Sequence, residues 1–484
     1  MVTASAAALA AVAAAYGWAA ADSVTTAGAW AWSLPQGFPE PRVPAANPMG
    51  EGKVAIGRRL FYDPRLSGNG TQSCSSCHRP ELAFTDGRAQ AVGSTGQTHP
   101  RNAQSLVNVA YHTTLTWANP ALVTLEKQME VPLFNTDPVE MGIDDANKGR
   151  VLRRIKGDHW YTKRFPRVFR DARHPVNWAT VIKSIAAFQR SIVSGRSKYD
   201  RMLRKRAKFT AQERRGMELF MGEEAECHHC HGSFIFDDQT TFVGSPRQRP
   251  LFHNTGLYNL GGTGAFPEPN RGVYEITGKP EDMGRFRAPS LRNVGRTAPY
   301  MHDGSIASLP EAIEHYDRGG RLIAEGPFAG DGSQNPYKDP LIQPIGLSPE
   351  DRDALLAFLL TLNEPDFSKD PRFSNPFERR RVGIAERRRH ERIVATNPSG
   401  SAKTTQKRVA VLFSGPILSG TIKVLGPDGA KASKGPGERD PRRYERLRVA
   451  LKPGLAPGRY RAEVSWTAAD GHDYESRFGF RLYR

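Results

Sequence analysis

The sequence contains two Cys-x-x-Cys-His motifs, at residues 74–78 and 227–231. In such a motif the two thiols can bond to the vinyl groups of one haem, and the adjacent imidazole can bind its iron. A zinc site or a redox dithiol also uses a Cys-x-x-Cys pair, but the histidine after the second cysteine in both copies favours haem c. The motifs contain all four cysteines of the chain, which leaves none for a structural disulfide. They predict two covalently bound haem c groups, held by Cys74, Cys77, His78, Cys227, Cys230 and His231.

The length and the charge limit the possible classes of protein. A chain of 484 residues is expected to form about three domains. A formal net charge of +18 and a pI near 9.8 would usually suggest a nucleic-acid partner. Haem c, however, is attached outside the cytoplasmic membrane. We therefore expect no nucleic-acid partner.

The N-terminus is typical of an exported protein. Residues 1–21 are nearly all small or apolar, and the three alanines at 19–21 resemble a signal-peptidase site. The usual basic start of a signal peptide is missing, so an incorrect start codon or an uncleaved anchor remain alternatives. No later run approaches the roughly 18 apolar residues of a membrane span. The prediction is a signal peptide at 1–21 and a periplasmic chain without a transmembrane span.

Two sets of similar segments reveal an internal repeat. Gly-Arg-Arg-Leu-Phe at 57–61 precedes the first haem motif, and Gly-Met-Glu-Leu-Phe at 216–220 precedes the second. Ser-Leu-Val-Asn-Val follows the first motif, and Ser-Leu-Arg-Asn-Val follows the second. The repeat predicts two tandem, mainly α, cytochrome-c-like domains at residues 45–205 and 206–370. Apolar spacing predicts one long helix between them, over 177–206.

Aligning the two halves predicts that the two haem sites differ. The alignment places Pro132 of the first half opposite Tyr316 of the second. A tyrosine can donate an oxygen to iron, whereas proline has no donor atom, so we expect the second haem to be closed and the first to be open. Tyr316 could instead only pack on the haem. Three other side chains could then bind the iron: Met301, His302 and His315.

The composition changes beyond residue 370. Residues 371–389 form a basic, arginine-rich segment, which is more typical of a solvated linker than of a binding patch. Residues 390–484 contain alternating apolar segments separated by Pro-Asp-Gly and Pro-Gly turns. This pattern predicts a small β-sandwich.

Several motifs together resemble a known family over about residues 45–370. They include Pro-Arg-Asn at 100–102, Pro-Ser-Leu-Arg-Asn at 289–293 and Thr-Ala-Pro-Tyr-Met-His-Asp-Gly at 297–304. On these residues the chain resembles the bacterial di-haem cytochrome c peroxidases and MauG. Residues 84–88, 115–120 and 252–256 look closer to the MbnH branch, which pairs with a partner protein in copper and methanobactin-related operons.

The resemblance implies roles for individual residues. It implies that Tyr316 binds the second iron and that the first haem, above His78, is the peroxide site. His99 is near the position of a resting ligand in some peroxidases. The other matches are the indole between the haems, Trp117, the distal carboxylate, Glu140, and two further distal-pocket positions, Gln128 and Pro132. Without the resemblance, Glu140 could be a surface or calcium-adjacent carboxylate and Trp117 could be core packing.

The resemblance also implies a calcium ion between the domains. Asn108 and the carbonyls of Thr297 and Pro299 match that site, and hard oxygen ligands suit calcium.

The implied activity is oxidation by hydrogen peroxide. In the leading hypothesis, peroxide generates a high-valent two-haem state that oxidises a side chain of a periplasmic partner protein, such as a tryptophan. Alternatively, the enzyme detoxifies peroxide with electrons from a small cytochrome or cupredoxin. A non-enzymatic electron carrier would require two six-coordinate irons. The tryptophan that MauG has just before its second motif is Ala225 here, so any electron route to a partner must differ.

The C-terminal segment resembles CopC, a periplasmic copper-binding sandwich. The residues that match its copper ligands are His390, Asp470 and His472. CopC uses a mature N-terminal histidine, but His390 is internal and its nitrogen is part of a peptide bond. A structural or partner-docking domain is therefore the alternative.

Overall fold

The computed structural model describes residues 30–246, 248–377, 393–398, 401–403, 405–413, 417–440, 443–468 and 473–484. Up to residue 377 the regular structure is almost all helical, but the longest helix has 13 residues and loops connect the helices. The helices are α1 Glu51–Phe61, α2 Cys74–Cys77, α3 Leu125–Gln128, α4 Glu130–Phe134, α5 Lys148–Lys156, α6 His159–Val168, α7 Trp178–Arg190, α8 Lys198–Leu203, α9 Ala211–Met221, α10 His228–His231, α11 Tyr274–Thr277, α12 Leu309–Asp317 and α13 Pro349–Leu360.

The sequence repeat is also a structural repeat. In the first half α1 crosses α7, and in the second half α9 crosses α13. A Cβ atom on Gly57 would lie 1.8 Å from the carbonyl oxygen of Ser184, and one on Gly216 would lie 1.9 Å from that of Ala354. Both glycines therefore allow two helix backbones to touch, and each crossing supports its own hydrophobic core.

The segment after α13 returns to the first half. Phe367 and Phe373 are buried in the first core, where both rings contact Phe84. The Tyr62 hydroxyl donates a hydrogen bond to the carbonyl of Phe373. Residues 371–374, which were predicted to belong to the basic linker, are therefore packed against the first half.

The single helix predicted over 177–206 is wrong. Helix α7 ends at Arg190, and Ser197 caps a separate helix, α8, by accepting a hydrogen bond from the backbone N–H of Asp200. Tyr199 on α8 packs against Phe236 in the second core. The second core therefore includes Tyr199, which precedes the predicted domain boundary at 206.

The C-terminal residues form two four-stranded sheets around one core, which confirms the predicted β-sandwich. The sheet orders are β4-β10-β9-β6 and β3-β5-β8-β7, and the paired strands are antiparallel except β10 with β4. Alternate residues face the core, as in Val409 and Val411. The strands are β3 Ile393–Asn397, β4 Ser401–Lys403, β5 Arg408–Phe413, β6 Ile417–Leu425, β7 Ser433–Asp440, β8 Arg443–Leu451, β9 Gly458–Ala468 and β10 Asp473–Tyr483, after a short hairpin of β1 Leu322–Ile323 and β2 Gly330–Asp331.

Among the described residues, every helix is too short or too polar to cross a membrane.

The helix crossing in the second half predicts the effect of a small substitution. Gly216→Ala should lower the free energy of unfolding by roughly 1–3 kcal/mol or more, because a methyl group there overlaps the carbonyl of Ala354. Thermal unfolding followed by circular dichroism and haem absorbance measures this loss. Gly149→Ala is the matched control, since Gly149 is an exposed helical glycine and alanine should stabilise it slightly. Equal melting temperatures for the two variants would contradict the close crossing.

Candidate functional site

Each haem motif presents its histidine in the same way. The Nδ1 atom of His78 lies 2.9 Å from the carbonyl oxygen of Phe84, and Nδ1 of His231 lies 3.0 Å from that of Phe236. Both phenylalanines have a left-handed backbone, with φ of 62° and 59°, which directs their carbonyls toward the imidazoles. With Nδ1 engaged, Nε2 is the nitrogen available to iron, which is the usual arrangement of metal-binding histidines.

The second motif opens into a large cavity. Its volume is about 490 Å³, within the usual range for cofactor sites. Cys227, Cys230 and His231 line one part of it, and Tyr316 and Ile313 line another. The four cysteines form no disulfide, as haem attachment requires. The donor atoms and the apolar cavity fit a covalently bound haem.

Helix capping supports the alignment of Pro132 with Tyr316. Thr124 caps α3 and Ser308 caps α12, each by accepting a hydrogen bond from the backbone N–H three residues later. Pro132 and Tyr316 each lie eight residues after that cap. The structure therefore places a proline and a tyrosine at matching positions of the two halves.

Tyr316 shares the cavity of the second motif with two of its three competitors as an iron ligand. Burial raises the pKa of its hydroxyl, and the second motif's cysteines add to this effect. Met301 and His302 also line the cavity, and the His302 ring stacks on Phe286 at 3.6 Å. His315 is buried but does not line the cavity. Ligation by Tyr316 stays a prediction, with Met301 and His302 on the same cavity.

Glu140 lies close to the first haem motif. Burial raises the pKa of the Cys74 and Cys77 thiols, and the charge of Glu140 adds to this effect. Although 32% of its side chain is exposed, loss of hydration raises the pKa of Glu140 itself to about 7. His99, the other distal candidate, lies beside it, with Nε2 3.6 Å from the carboxylate. A carboxyl group with this pKa can both take and return a proton near neutral pH.

The two remaining distal candidates, Pro132 and Gln128, lie on helices α4 and α3. The backbone N–H of Met141 donates a hydrogen bond to the carbonyl of Pro132 on α4. This bond fixes α4 next to the loop that contains Glu140. Gln128, at the end of α3, is half-buried.

Trp117 connects the two halves. Its indole N–H donates to the carbonyl of Asn102 at 2.9 Å, and its own carbonyl accepts from the N–H of Arg287 at 2.8 Å. The indole also lines the cavity of the second motif. This position, between the halves, is compatible with the predicted relay.

The structure corrects the assignment of Asn108 as a calcium ligand. Both polar atoms of its side chain bond to the backbone of Ser194. Its repeat partner Asn293 likewise accepts from the backbone N–H of Glu364, so this asparagine has a structural role in both halves. Asn102 is the side chain that approaches the Pro299 carbonyl, at 3.4 Å. Calcium stays a prediction, for which Asn102 is now the side-chain candidate, with the carbonyls of Thr297 and Pro299.

The three candidate copper ligands, His390, Asp470 and His472, lie outside the described residues.

Sequence reasoning missed a buried polar cluster between the halves. The guanidinium of Arg287 donates to Gln104 at 2.6 Å and lies 3.3 Å from Nδ1 of His112. Asp237 is 3.7 Å from the other nitrogen of His112. The sequence contains no signal for this cluster, because its members come from widely separated segments.

A second missed residue is His253 on the cavity wall. Its two ring nitrogens lie 2.6 Å from carboxylate oxygens of Asp238 and Asp339. Burial alone would lower the pKa of His253, but hydrogen bonds to Asp238 and Asp339 raise it, with a further contribution from the Cys230 thiol. His253 is therefore a fixed positive charge beside the second motif.

Comparisons with known proteins agree with this site. The family described as di-haem cytochrome c peroxidase matches residues 51–208, and the CopC domain matches residues 393–483. The chain is 33% identical over 362 residues to cytochrome-c peroxidase IdrP1 of Denitromonas iodatirespirans, covering 70% of this chain and 90% of that protein. It is 33% identical over 331 residues to the methylamine utilization protein MauG of Methylorubrum extorquens, covering 68% and 82%.

A solved structure is also similar. The crystal structure of a MauG-like protein associated with microbial copper homeostasis has 54% sequence identity and a TM-score of 0.71, and the match covers 72% of this chain and all of that one. Fold, site and relatives define a peroxide-dependent di-haem oxidoreductase. The chain belongs to the di-haem cytochrome c peroxidase and MauG family and has a CopC domain at its C-terminal end. The predicted family and the predicted enzyme class are confirmed.

The cavity predicts a spectroscopic change in one variant. Tyr316→Phe should alter the ferric absorption and electron paramagnetic resonance spectra of one haem, because the phenolic oxygen is the proposed sixth ligand. Tyr300→Phe is the matched control, since Tyr300 also lines the cavity but donates its hydroxyl hydrogen bond to the Val294 carbonyl. An unchanged spectrum in Tyr316→Phe would exclude ligation by this tyrosine.

Proposed function

We propose that this enzyme acts in the periplasm and uses hydrogen peroxide to oxidise a side chain, such as a tryptophan, of a partner protein. The observation that carries the proposal is the tyrosine on the cavity wall of the second motif, Tyr316, at the position where the first half has Pro132. The two haem groups, when bound, supply peroxide reduction and electron storage. Because the second half has an oxygen donor at this position and the first half does not, the two halves would have different tasks.

The first half would bind peroxide above His78. There, Glu140 is positioned to take a proton from the peroxide and to return it to the departing oxygen. Its pKa of about 7 suits both transfers at neutral pH. Peroxide needs two electrons and two protons to form two water molecules, and the partner side chain would supply both electrons.

Trp117 is the proposed relay between the halves. Its indole N–H donates a hydrogen bond to the carbonyl of Asn102, and its backbone carbonyl accepts one from the N–H of Arg287. Such fixation keeps the distances for electron transfer constant. Ala225 replaces the tryptophan of MauG next to the second motif, so the final step to the partner would use other residues.

The similarity to a MauG-like protein associated with copper homeostasis supports a partner in copper metabolism. The CopC domain on the same chain points to the same setting and to the periplasm. Relatives named cytochrome-c peroxidase support the alternative, in which a small electron-carrier protein supplies the electrons for peroxide removal.

The pKa of Glu140 predicts a pH dependence. A base acts only when it is deprotonated, so the rate constant for the reaction with peroxide should rise with pH through about 7 and then level off. Glu140→Gln should lower this rate constant by about 10²–10⁴-fold and abolish the rise. Stopped-flow kinetics between pH 5 and 9 measure both effects. Glu130→Gln, on the neighbouring helix and paired with Lys127, should behave like the wild type, and a pH rise that persists in Glu140→Gln would exclude this base.

The choice between the two electron sources predicts different products. With peroxide and a co-encoded periplasmic partner, intact-mass spectrometry should show a modified partner only when enzyme and peroxide are both present. Steady turnover with a reduced small cytochrome or cupredoxin, without any change in partner mass, would instead establish the detoxifying peroxidase.

A further inference from the structure

The second haem motif carries two histidines that haem attachment does not use. His228 and His229 lie between the two cysteines, and their rings are 4.3 Å apart. The carboxylate of Glu223 faces both rings, with its two oxygens 3.8 Å from Nε2 of His228 and 3.7 Å from Nε2 of His229. Three potential metal ligands therefore meet at one place on the surface.

The two imidazoles of this group lie outside the haem cavity, and Glu223 lies at its edge, because it also lines that cavity. Cys227, Cys230 and His231 line the cavity of the second motif, whereas the rings of His228 and His229 do not. Glu223 and His229 are exposed, so an ion can reach the group from solvent.

The first motif lacks the same feature. The two residues between its cysteines are Ser75 and Ser76, and Ser76 instead takes part in the cap of helix α2. Covalent attachment of haem therefore needs no histidine at these positions. The pair at 228 and 229 requires a different explanation.

We propose that Glu223, His228 and His229 form a surface site for a divalent late transition metal, and that Cu(II) is the ion it favours. Bonds of about 2.0–2.2 Å to imidazole nitrogen and carboxylate oxygen allow two ligands of one ion to lie as much as about 4 Å apart, as these do. Two imidazoles and a carboxylate suit copper and zinc, and Cu(II) binds such ligands most tightly. Water or a partner protein's ligand completes the coordination.

This inference is independent of the proposed oxidation of a partner, because it concerns binding alone. In the sequence, the copper ligands His228 and His229 are directly adjacent to Cys227 and Cys230, the cysteines of the second haem motif. Its unpaired electron would then interact magnetically with the second haem.

The test is titration of the full-length, haem-loaded protein with copper sulfate in the presence of glycine as a weak competitor. The variant His228→Ser/His229→Ser gives the second motif the residues of the first. It should bind one copper ion fewer per chain than the wild type, and its copper resonance spectrum should lose the nitrogen hyperfine pattern of this site. The matched control is His159→Ser/His174→Ser, which removes two exposed histidines elsewhere and should keep the wild-type stoichiometry.

Two further variants keep the result interpretable. Glu223→Gln leaves the motif intact and should weaken copper binding by roughly tenfold or more, so it tests the site even where the double variant attaches haem poorly. Repeating the titration in a His390→Asn/His472→Asn background separates this ion from any bound by the CopC domain. Equal stoichiometry and affinity in wild type, Glu223→Gln and the double variant would overturn the proposal, and binding of Zn(II) without Cu(II) would overturn the choice of metal.

Discussion

The orientation of the histidine in each haem motif depends on one type of hydrogen bond, from the imidazole Nδ1 to a phenylalanine carbonyl. That carbonyl points correctly only because Phe84 and Phe236 adopt a left-handed backbone, which costs of the order of 1–3 kcal/mol each. The phenylalanine rings compensate for this cost by packing in the two cores, Phe84 against Phe61 and Phe236 against Phe358. Core packing therefore positions the metal-binding nitrogens.

The two halves share one frame, so the proposed function depends on the differences between them. The helix crossings at Gly57 and Gly216 repeat, and so do the asparagine contacts of Asn108 and Asn293. On this repeated frame, Pro132 and Tyr316 occupy matching positions with opposite capacities to bind iron. In the proposed mechanism, this single difference on a duplicated frame separates peroxide binding from electron storage.

Sequence patterns predicted the parts of this protein that depend on local residues. The haem motifs, the repeat and the β-sandwich could all be predicted from the sequence, because each depends on a pattern within a short segment. Asn108 was assigned to calcium from the family resemblance alone, and its match with Asn293 in the repeat was the signal for a structural role. The return of Phe373 to the first core had no signal at all, because the segment packs more than 280 residues from Phe84.

The cluster around Arg287 links the two halves of the haem region. Its guanidinium is buried between them, where burial lowers its pKa and the nearby carboxylates Asp237 and Asp238 oppose that effect. Across the interface, the guanidinium contacts Gln104 and His112 of the first half. The same residue holds the backbone of Trp117 through its own N–H. One residue thus contacts the first half through its side chain and fixes the backbone of Trp117, the proposed relay, through its own N–H.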